Sequence, residues 1–97
     1  MIKEYTTPMI DIALENSQDI LRDASRVIVT IKGRQTIEKT PAIDRGILSF
    51  SLTQEETAIL GVGTVQMEVT VLTVDGHVLK SSTIKTSIEA AIRREVM

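Results

Sequence analysis

Apolar and polar residues alternate most regularly in the stretch from Thr64 to Thr73. Every second residue there is apolar and would share one side of an extended chain, namely Val65, Met67, Val69 and Val71. A period of two is typical of a β-strand with one buried face. Asp75 and Gly76 follow, and both residues tolerate the positive φ that a tight hairpin turn requires. We therefore predict a hairpin here and expect the core to form around it.

The same alternation predicts further strands on both sides of this hairpin. They run over Ile10–Leu14, Ser25–Lys32, Gln35–Thr40, Ile47–Leu52 and His77–Ile88. Turn residues separate them at Gly33–Arg34 and at Asp44–Gly46. In the last strand the apolar side changes partway, which predicts a β-bulge near Ser81–Ser82. The side chains predicted to point inward from the earlier strands are Val27, Val29, Ile31, Ile37, Leu48, Phe50 and Leu52.

The segment Thr53–Leu60 breaks the alternation and predicts a helical turn. Thr53 and Glu56 have the spacing of a capping box, in which each side chain bonds to the main chain of the other residue. Ile59 and Leu60 would then pack this turn against one end of the strands.

The last segment, Glu89–Met97, again changes character and predicts one or two helical turns. A helix this short is marginally stable in water unless something packs against it. The segment also carries apolar residues for which the predicted strands leave no place, namely Ile92, Val96 and Met97. We therefore expect these side chains to contact a neighbouring subunit.

Several short strands separated by turns, together with one short helical turn, favour an all-β fold over an alternating α/β fold. We predict an antiparallel β-sandwich of six or seven strands. The 97 residues are enough for a single domain, so we assign residues 1–97 to one unit. Ile20 and Leu21, in an otherwise polar stretch, are expected to plug one end of the core.

The composition argues against several classes of function. A net charge of −2 provides no broad basic field for nucleic acid, and the absence of cysteine excludes disulfides and thiolate sites. Tyr5 and Phe50 are the only aromatic residues, which leaves few rings for stacking on sugars or bases. No apolar stretch approaches the ~18 residues of a membrane span, and we identify no signal peptide.

Candidate chemistry is sparse, and we predict neither an enzyme nor a cofactor or metal site. His77 is the only histidine, and the sequence implies no nucleophile or carboxylate partner for it. Glu15, Asp19 and Asp23 could offer oxygen ligands to calcium but lack the spacing of an EF-hand. A solvated polar loop is the better interpretation of that stretch.

Two surface features leave the mode of interaction open. Lys32, Arg34 and Lys39 surround one hairpin and could bind an anionic partner, although such a cluster is commonly ordinary surface. Thr70 and Leu72 would stand on the outward face of the central strand, beside outward residues of the last strand. That face and the unpaired strand edges would permit assembly, whereas scattered surface apolar residues are the equally favoured alternative.

The segment Leu52–Leu60, read as LTQEETAIL, resembles the turn between strands E and F of immunoglobulin-type domains. In those domains a leucine, a threonine or serine, acidic residues and a Thr-Ala pair precede the central strand. The resemblance implies an immunoglobulin-like sandwich. It does not imply common ancestry with antibodies, because their cysteines and tryptophan are absent here.

Nearly the whole chain also resembles short proteins encoded in the tail-gene modules of phages and prophages of Gram-positive bacteria. The motifs that carry the resemblance lie at Met1–Pro8, Val27–Lys32, Leu52–Thr57, Gln66–Gly76 and Ile84–Glu89. The resemblance implies a non-enzymatic building block of a tail or baseplate that acts by protein–protein contacts. It would self-associate or bind other virion proteins, and it would pass from the host cytoplasm into the virion.

A second class of function also stays open at this point. The loops could recognise a cell-wall glycan or a polyanion, in which case the chain would be a ligand-binding module. Neither nucleic acid nor membrane is expected as a partner.

Overall fold

A computed structural model describes residues 2–13, 21–22, 24–81 and 83–97 of the chain. Over these residues the chain forms nine strands and one complete short helix. In order they are β1 (Ile2–Lys3), β2 (Met9–Ala13), β3 (Ala24–Lys32), β4 (Thr36–Lys39), β5 (Ala42–Asp44), β6 (Ile47–Ser51), α1 (Gln54–Leu60), β7 (Gly63–Thr73), β8 (Val78–Lys80) and β9 (Ile84–Glu89). The predominance of strands confirms the all-β part of the prediction.

The strands form two sheets that share one hydrophobic core. The larger sheet has the order β1-β9-β7-β3-β4, with β8 also paired to β7, and the smaller sheet has the order β2-β6-β5. Long aliphatic side chains from both sheets meet in a single buried cluster. Its members are Ile12, Val27, Val29, Ile31, Leu48, Phe50, Leu52, Leu60, Val65, Met67, Val69, Val71 and Ile88.

The predicted count of six or seven strands is wrong, as is the prediction that all pairs are antiparallel. β1 pairs with β9 in parallel, through Ile2 opposite Ile88 and Lys3 opposite Glu89. The two-residue β1 and the three-residue β5 are too short to show an alternating pattern in the sequence. The predicted last strand is also divided into two, since β8 pairs with Thr70–Leu72 of β7 and β9 pairs with Gly63–Met67 of β7.

The central hairpin is confirmed, with Val65, Met67, Val69 and Val71 all at most 5% exposed. β7 pairs with β8 across the Asp75–Gly76 turn, where Gly76 has a φ of 90°. At the predicted bulge, the Ser81 amide donates to the Val69 carbonyl at 2.9 Å. The Ser81 hydroxyl accepts from the Val69 amide, also at 2.9 Å, so its side chain continues the ladder past β8.

Helix α1 begins at the predicted capping box. The Glu56 amide donates to the Thr53 hydroxyl at 3.1 Å, and the Thr53 amide donates to the Glu56 carboxylate at 2.9 Å. Leu60 is buried as predicted, but the prediction for Ile59 is wrong because its side chain is 40% exposed. Residues three apart share a helix face, so Thr57 and Leu60 point to the core and Ile59 does not.

The prediction of helical turns in the C-terminal segment is wrong. Residues 90–97 contain no helix and cross one end of the molecule as bends and irregular chain. Side chains elsewhere in the chain bind its main-chain groups, through Glu4 at Ala91 and Gln54 at Met97. These contacts replace the hydrogen bonds that a helix would have formed.

Some predictions fall outside the described residues. These concern Leu14 at the end of the first strand, Ile20 of the predicted plug, Ser82 of the bulge and the possible calcium ligands Glu15, Asp19 and Asp23. Leu21, the other predicted plug residue, is half-buried and packs against the core.

Candidate interaction surfaces

A group of mostly apolar side chains lies on the outer face of the larger sheet, at its hairpin end. Because Val69 and Val71 face the core, the alternation of β7 turns Thr70 and Leu72 outward. Leu72 stands opposite Val78 of β8, and Thr70 stands opposite Ile28 of β3. We call Ile28, Thr70, Leu72 and Val78 the outer-face patch. Leu72 is 38% exposed and Val78 is 57% exposed, so the most exposed part of the patch is a cross-strand apolar pair.

Charged side chains border the outer-face patch. Arg26 stands opposite Leu72 on the β3 side, and among the described residues it forms no ion pair. On the β8 side, Lys80 Nζ lies 3.3 Å from a Glu68 oxygen and 3.2 Å from the Thr70 hydroxyl. An apolar centre with a charged rim is the usual layout of a protein–protein contact surface.

The hairpin tip beside the patch is closed by side-chain contacts. The Thr73 hydroxyl donates to one Asp75 oxygen and accepts from the His77 amide, and His77 Nδ1 lies 3.0 Å from the other Asp75 oxygen. The Thr73 hydrogen bond is the main reason that the pKa of Asp75 lies below its ordinary value. His77 is thus an exposed member of the turn, and its contacts fix the geometry of the loop.

A second surface lies at the opposite end of β7, where the two ends of the chain meet. Glu4 is 2% exposed, and its carboxylate accepts from the Ala91 amide at 3.1 Å and from Arg94 Nε at 2.6 Å. A buried charge is tolerated only when it is paired and hydrogen-bonded, and both conditions hold here. Glu4 therefore fixes the path of the C-terminal segment over this end of the molecule.

Helix α1 holds the last residue of the segment and the N-terminal residues together. Gln54 Oε1 accepts from the Met97 amide at 2.7 Å, and Gln54 Nε2 donates to the Met97 carbonyl at 3.4 Å. The buried Thr57 hydroxyl accepts from the Thr6 amide at 3.3 Å. Between these residues lies an open depression of about 310 Å³. It is lined by Tyr5, Thr6, Thr7, Gln54 and Met97.

The apolar side chains of the C-terminal segment point into solvent. Ile92 is fully exposed, Met97 is 84% exposed and Val96 is 47% exposed. We call Tyr5, Gln54, Ile92, Val96 and Met97 the terminal platform. The expectation that the three apolar residues have no place in the core is confirmed, and their contact with another subunit stays a prediction.

The structure does not bring the predicted basic cluster together. Lys39 stands opposite Val29 and so faces the core side of the sheet, whereas Lys32 lies on the outer face. Lys39 Nζ lies 2.7 Å from a Glu56 oxygen. Burial raises the pKa of Glu56, but the hydrogen bond and charge of Lys39 and the Thr53 cap outweigh it, so this pKa is below its ordinary value. Lys39 is therefore neutralised within the chain, and the group is not one anion-binding patch.

The sequence pattern indicates Thr70, Leu72 and the apolar residues of the C-terminal segment. It does not indicate the side chains that hold them in position. The predicted returning strand includes Val78 but does not indicate its exposure, and no pattern in the sequence indicates Glu4, Gln54 or Arg94. Glu4 and Arg94 are 90 residues apart, so no local pattern links them. The parity of Val78 opposite Leu72 could have been read from the hairpin register.

Among the described residues no group of three or more histidine, cysteine, aspartate or glutamate side chains is arranged to hold a metal ion. Over the same residues, no helix has both the length and the apolarity needed to cross a membrane. Comparisons with protein-family models, with curated proteins and with solved structures find no match to this chain.

Proposed function

We propose that this protein is a non-enzymatic structural module that assembles by protein–protein contacts, and that it self-associates. The observation that carries the proposal is the outer-face patch, in which Leu72 and Val78 form an exposed apolar pair on a regular sheet. Two apolar side chains directly opposite each other present a continuous surface, which a single exposed side chain does not. The fully exposed Ile92 and the exposed Met97 add a second apolar surface at the other end.

We further propose that the fold is an immunoglobulin-like sandwich. The order β9-β7-β3-β4 corresponds to strands G, F, C and C′ of the variable type, and the order β2-β6-β5 corresponds to strands B, E and D. The position of α1, directly before the central strand, supports the same correspondence. Both sheets contribute side chains to a single core, as a sandwich requires.

The biological setting that we propose is the tail or baseplate of a phage or prophage. The support for it is the resemblance of the motifs at Leu52–Thr57 and Gln66–Gly76 to short tail-module proteins. The genes flanking this one provide a direct test. Tail-tape and baseplate genes beside it are the expected finding, and flanking genes unrelated to phage structure would remove this setting.

Substitution of Leu72 by glutamate tests the assembly function. A contact would bury the 38% of Leu72 that is still exposed, and a glutamate there would bring an unpaired carboxylate into the contact. Leu72→Glu should therefore weaken self-association about tenfold. Ile47→Glu is the matched control, because Ile47 is similarly exposed at 42% but lies on the outer face of the smaller sheet. Light scattering after gel filtration measures both. Equal loss of association in the two variants, or in neither, would count against the outer-face patch.

A further inference from the structure

We propose that the copies associate head to tail, with the terminal platform of one copy seated on the outer-face patch of the next. This inference rests on the proposed self-assembly and adds the identity of the two contacting surfaces. The occupant of the outer-face patch is thus a second copy of this chain, presented through its C-terminal segment.

The two surfaces lie at opposite ends of the same central strand. Gly63, the first residue of β7, pairs with Ile88, which directly precedes the C-terminal segment. Thr73, the last residue of β7, leads into the hairpin that carries Val78. Ten steps of about 3.3 Å separate Gly63 from Thr73, or roughly 33 Å along the strand. The longest dimension of the molecule is 46 Å, so the surfaces occupy its two ends.

Charge favours contact between unlike ends over contact between like ends. Arg26 borders the outer-face patch and forms no ion pair among the described residues. Glu55 is exposed beside Gln54 of the terminal platform, and it too is in no ion pair there. Head-to-tail contact brings the end that carries Arg26 to the end that carries Glu55, whereas patch-to-patch contact joins two ends that each carry Arg26. Like charges across an interface disfavour a partner, and unlike charges select one.

The two surfaces also differ in shape. Ile92 projects fully into solvent from the segment that Glu4 and Gln54 hold in place, so it is a protruding apolar side chain on a fixed base. The outer-face patch lies on a regular sheet, with Leu72 and Val78 side by side and charges around them. A contact of this heterologous kind does not close after two copies, and it generates a ring or a filament.

Mixing two variants tests the proposal. Leu72→Glu removes the patch and keeps the platform, whereas Ile92→Glu removes the platform and keeps the patch. Each variant alone should sediment as a single chain of 10.7 kDa at concentrations where the wild type associates. Their equimolar mixture should form a complex of two chains that does not grow further, because one intact patch meets one intact platform.

The outcomes separate this inference from the function on which it rests. Wild-type association without a two-chain complex in the mixture would overturn the head-to-tail arrangement alone. Association of either variant by itself as strongly as the wild type would also overturn it. A wild type that never associates would overturn self-assembly and the arrangement together. Val78→Glu and Met97→Glu repeat the design at exposed positions if either first variant fails to show a wild-type circular dichroism spectrum.

Discussion

Glu4 is the residue on which the arrangement of the C-terminal segment depends most. Its carboxylate is buried and accepts hydrogen bonds from Ala91 and Arg94, which follow β9 by only a few residues. The sequence could not indicate this role, because a glutamate near the start of a chain is ordinarily solvated. The parallel pairing of β1 with β9 brings Glu4 beneath the segment.

Replacing Arg94 by alanine should destabilise the protein by about 1–3 kcal/mol, because the buried carboxylate of Glu4 would keep only the Ala91 amide. Arg93→Ala is the matched control. Among the described residues Arg93 pairs with Glu95 alone, in a solvent-exposed contact, so its loss should change the free energy of unfolding by less than about 0.5 kcal/mol. Urea denaturation measures both. An equal effect of the two substitutions would show that Glu4 does not depend on Arg94.

A side chain has no room at Gly33. A Cβ added there would lie 2.5 Å from the Leu60 carbonyl oxygen, which also accepts from the Arg34 amide at 2.8 Å. Gly33→Ala should therefore destabilise the protein by about 1–3 kcal/mol, since main-chain atoms of α1 must shift. A cost below about 0.5 kcal/mol on thermal unfolding would contradict this close packing.

Gly76 differs from Gly33 in this respect, because no atom lies within 4 Å of a Cβ added at Gly76. Asparagine tolerates a positive φ, so Gly76→Asn should cost less than Gly33→Ala.

At the scale of elements, the local signals were sufficient where an element is defined by its own residues. The alternation of β7, the turn at Asp75–Gly76 and the capping box at Thr53 each require only neighbouring positions, and all three are confirmed. The helical prediction for residues 90–97 is wrong because side chains from distant elements form hydrogen bonds with main-chain groups of that segment. Ile59 was misassigned because the face of a short helix is set by its packing and not by its composition.

The capping box of α1 makes a specific contribution to the pH dependence of stability. The pKa of Glu56 is lowered in the folded protein, so its contribution is present above the ordinary glutamate pKa of 4.5 and is lost as the pH falls through the lowered value. The difference in free energy of unfolding between the wild type and Glu56→Gln should therefore shrink as the pH drops below 4.5. Asp75, whose pKa is also lowered, is present in both proteins and cancels from the difference.

Lys39→Met provides the companion measurement, because Lys39 supplies both a hydrogen bond and a charge to Glu56. Its removal should reduce the same pH dependence without deleting the cap. Urea denaturation across this pH range measures both variants. A difference between the wild type and Glu56→Gln that does not change with pH would show that Glu56 is not stabilised in its charged form.

At the scale of the whole molecule, the sequence predicts which side chains form the core but not the order of the strands in the sheets. Alternation places Val29, Leu48 and Val69 inside, yet it does not say which strand lies beside which. The pairing of β3 with β7 and of β2 with β6 joins segments far apart in the chain. The parallel contact of β1 with β9 depends on the same long-range packing, and so does the terminal platform.

The proposal at this scale is that copies of the protein meet through the apolar surfaces at its two ends. Sedimentation equilibrium of the unmodified protein over a wide range of concentration tests this most directly. The average mass should rise above the single-chain value of 10.7 kDa as the concentration increases. A mass that stays at 10.7 kDa throughout would contradict assembly through these surfaces.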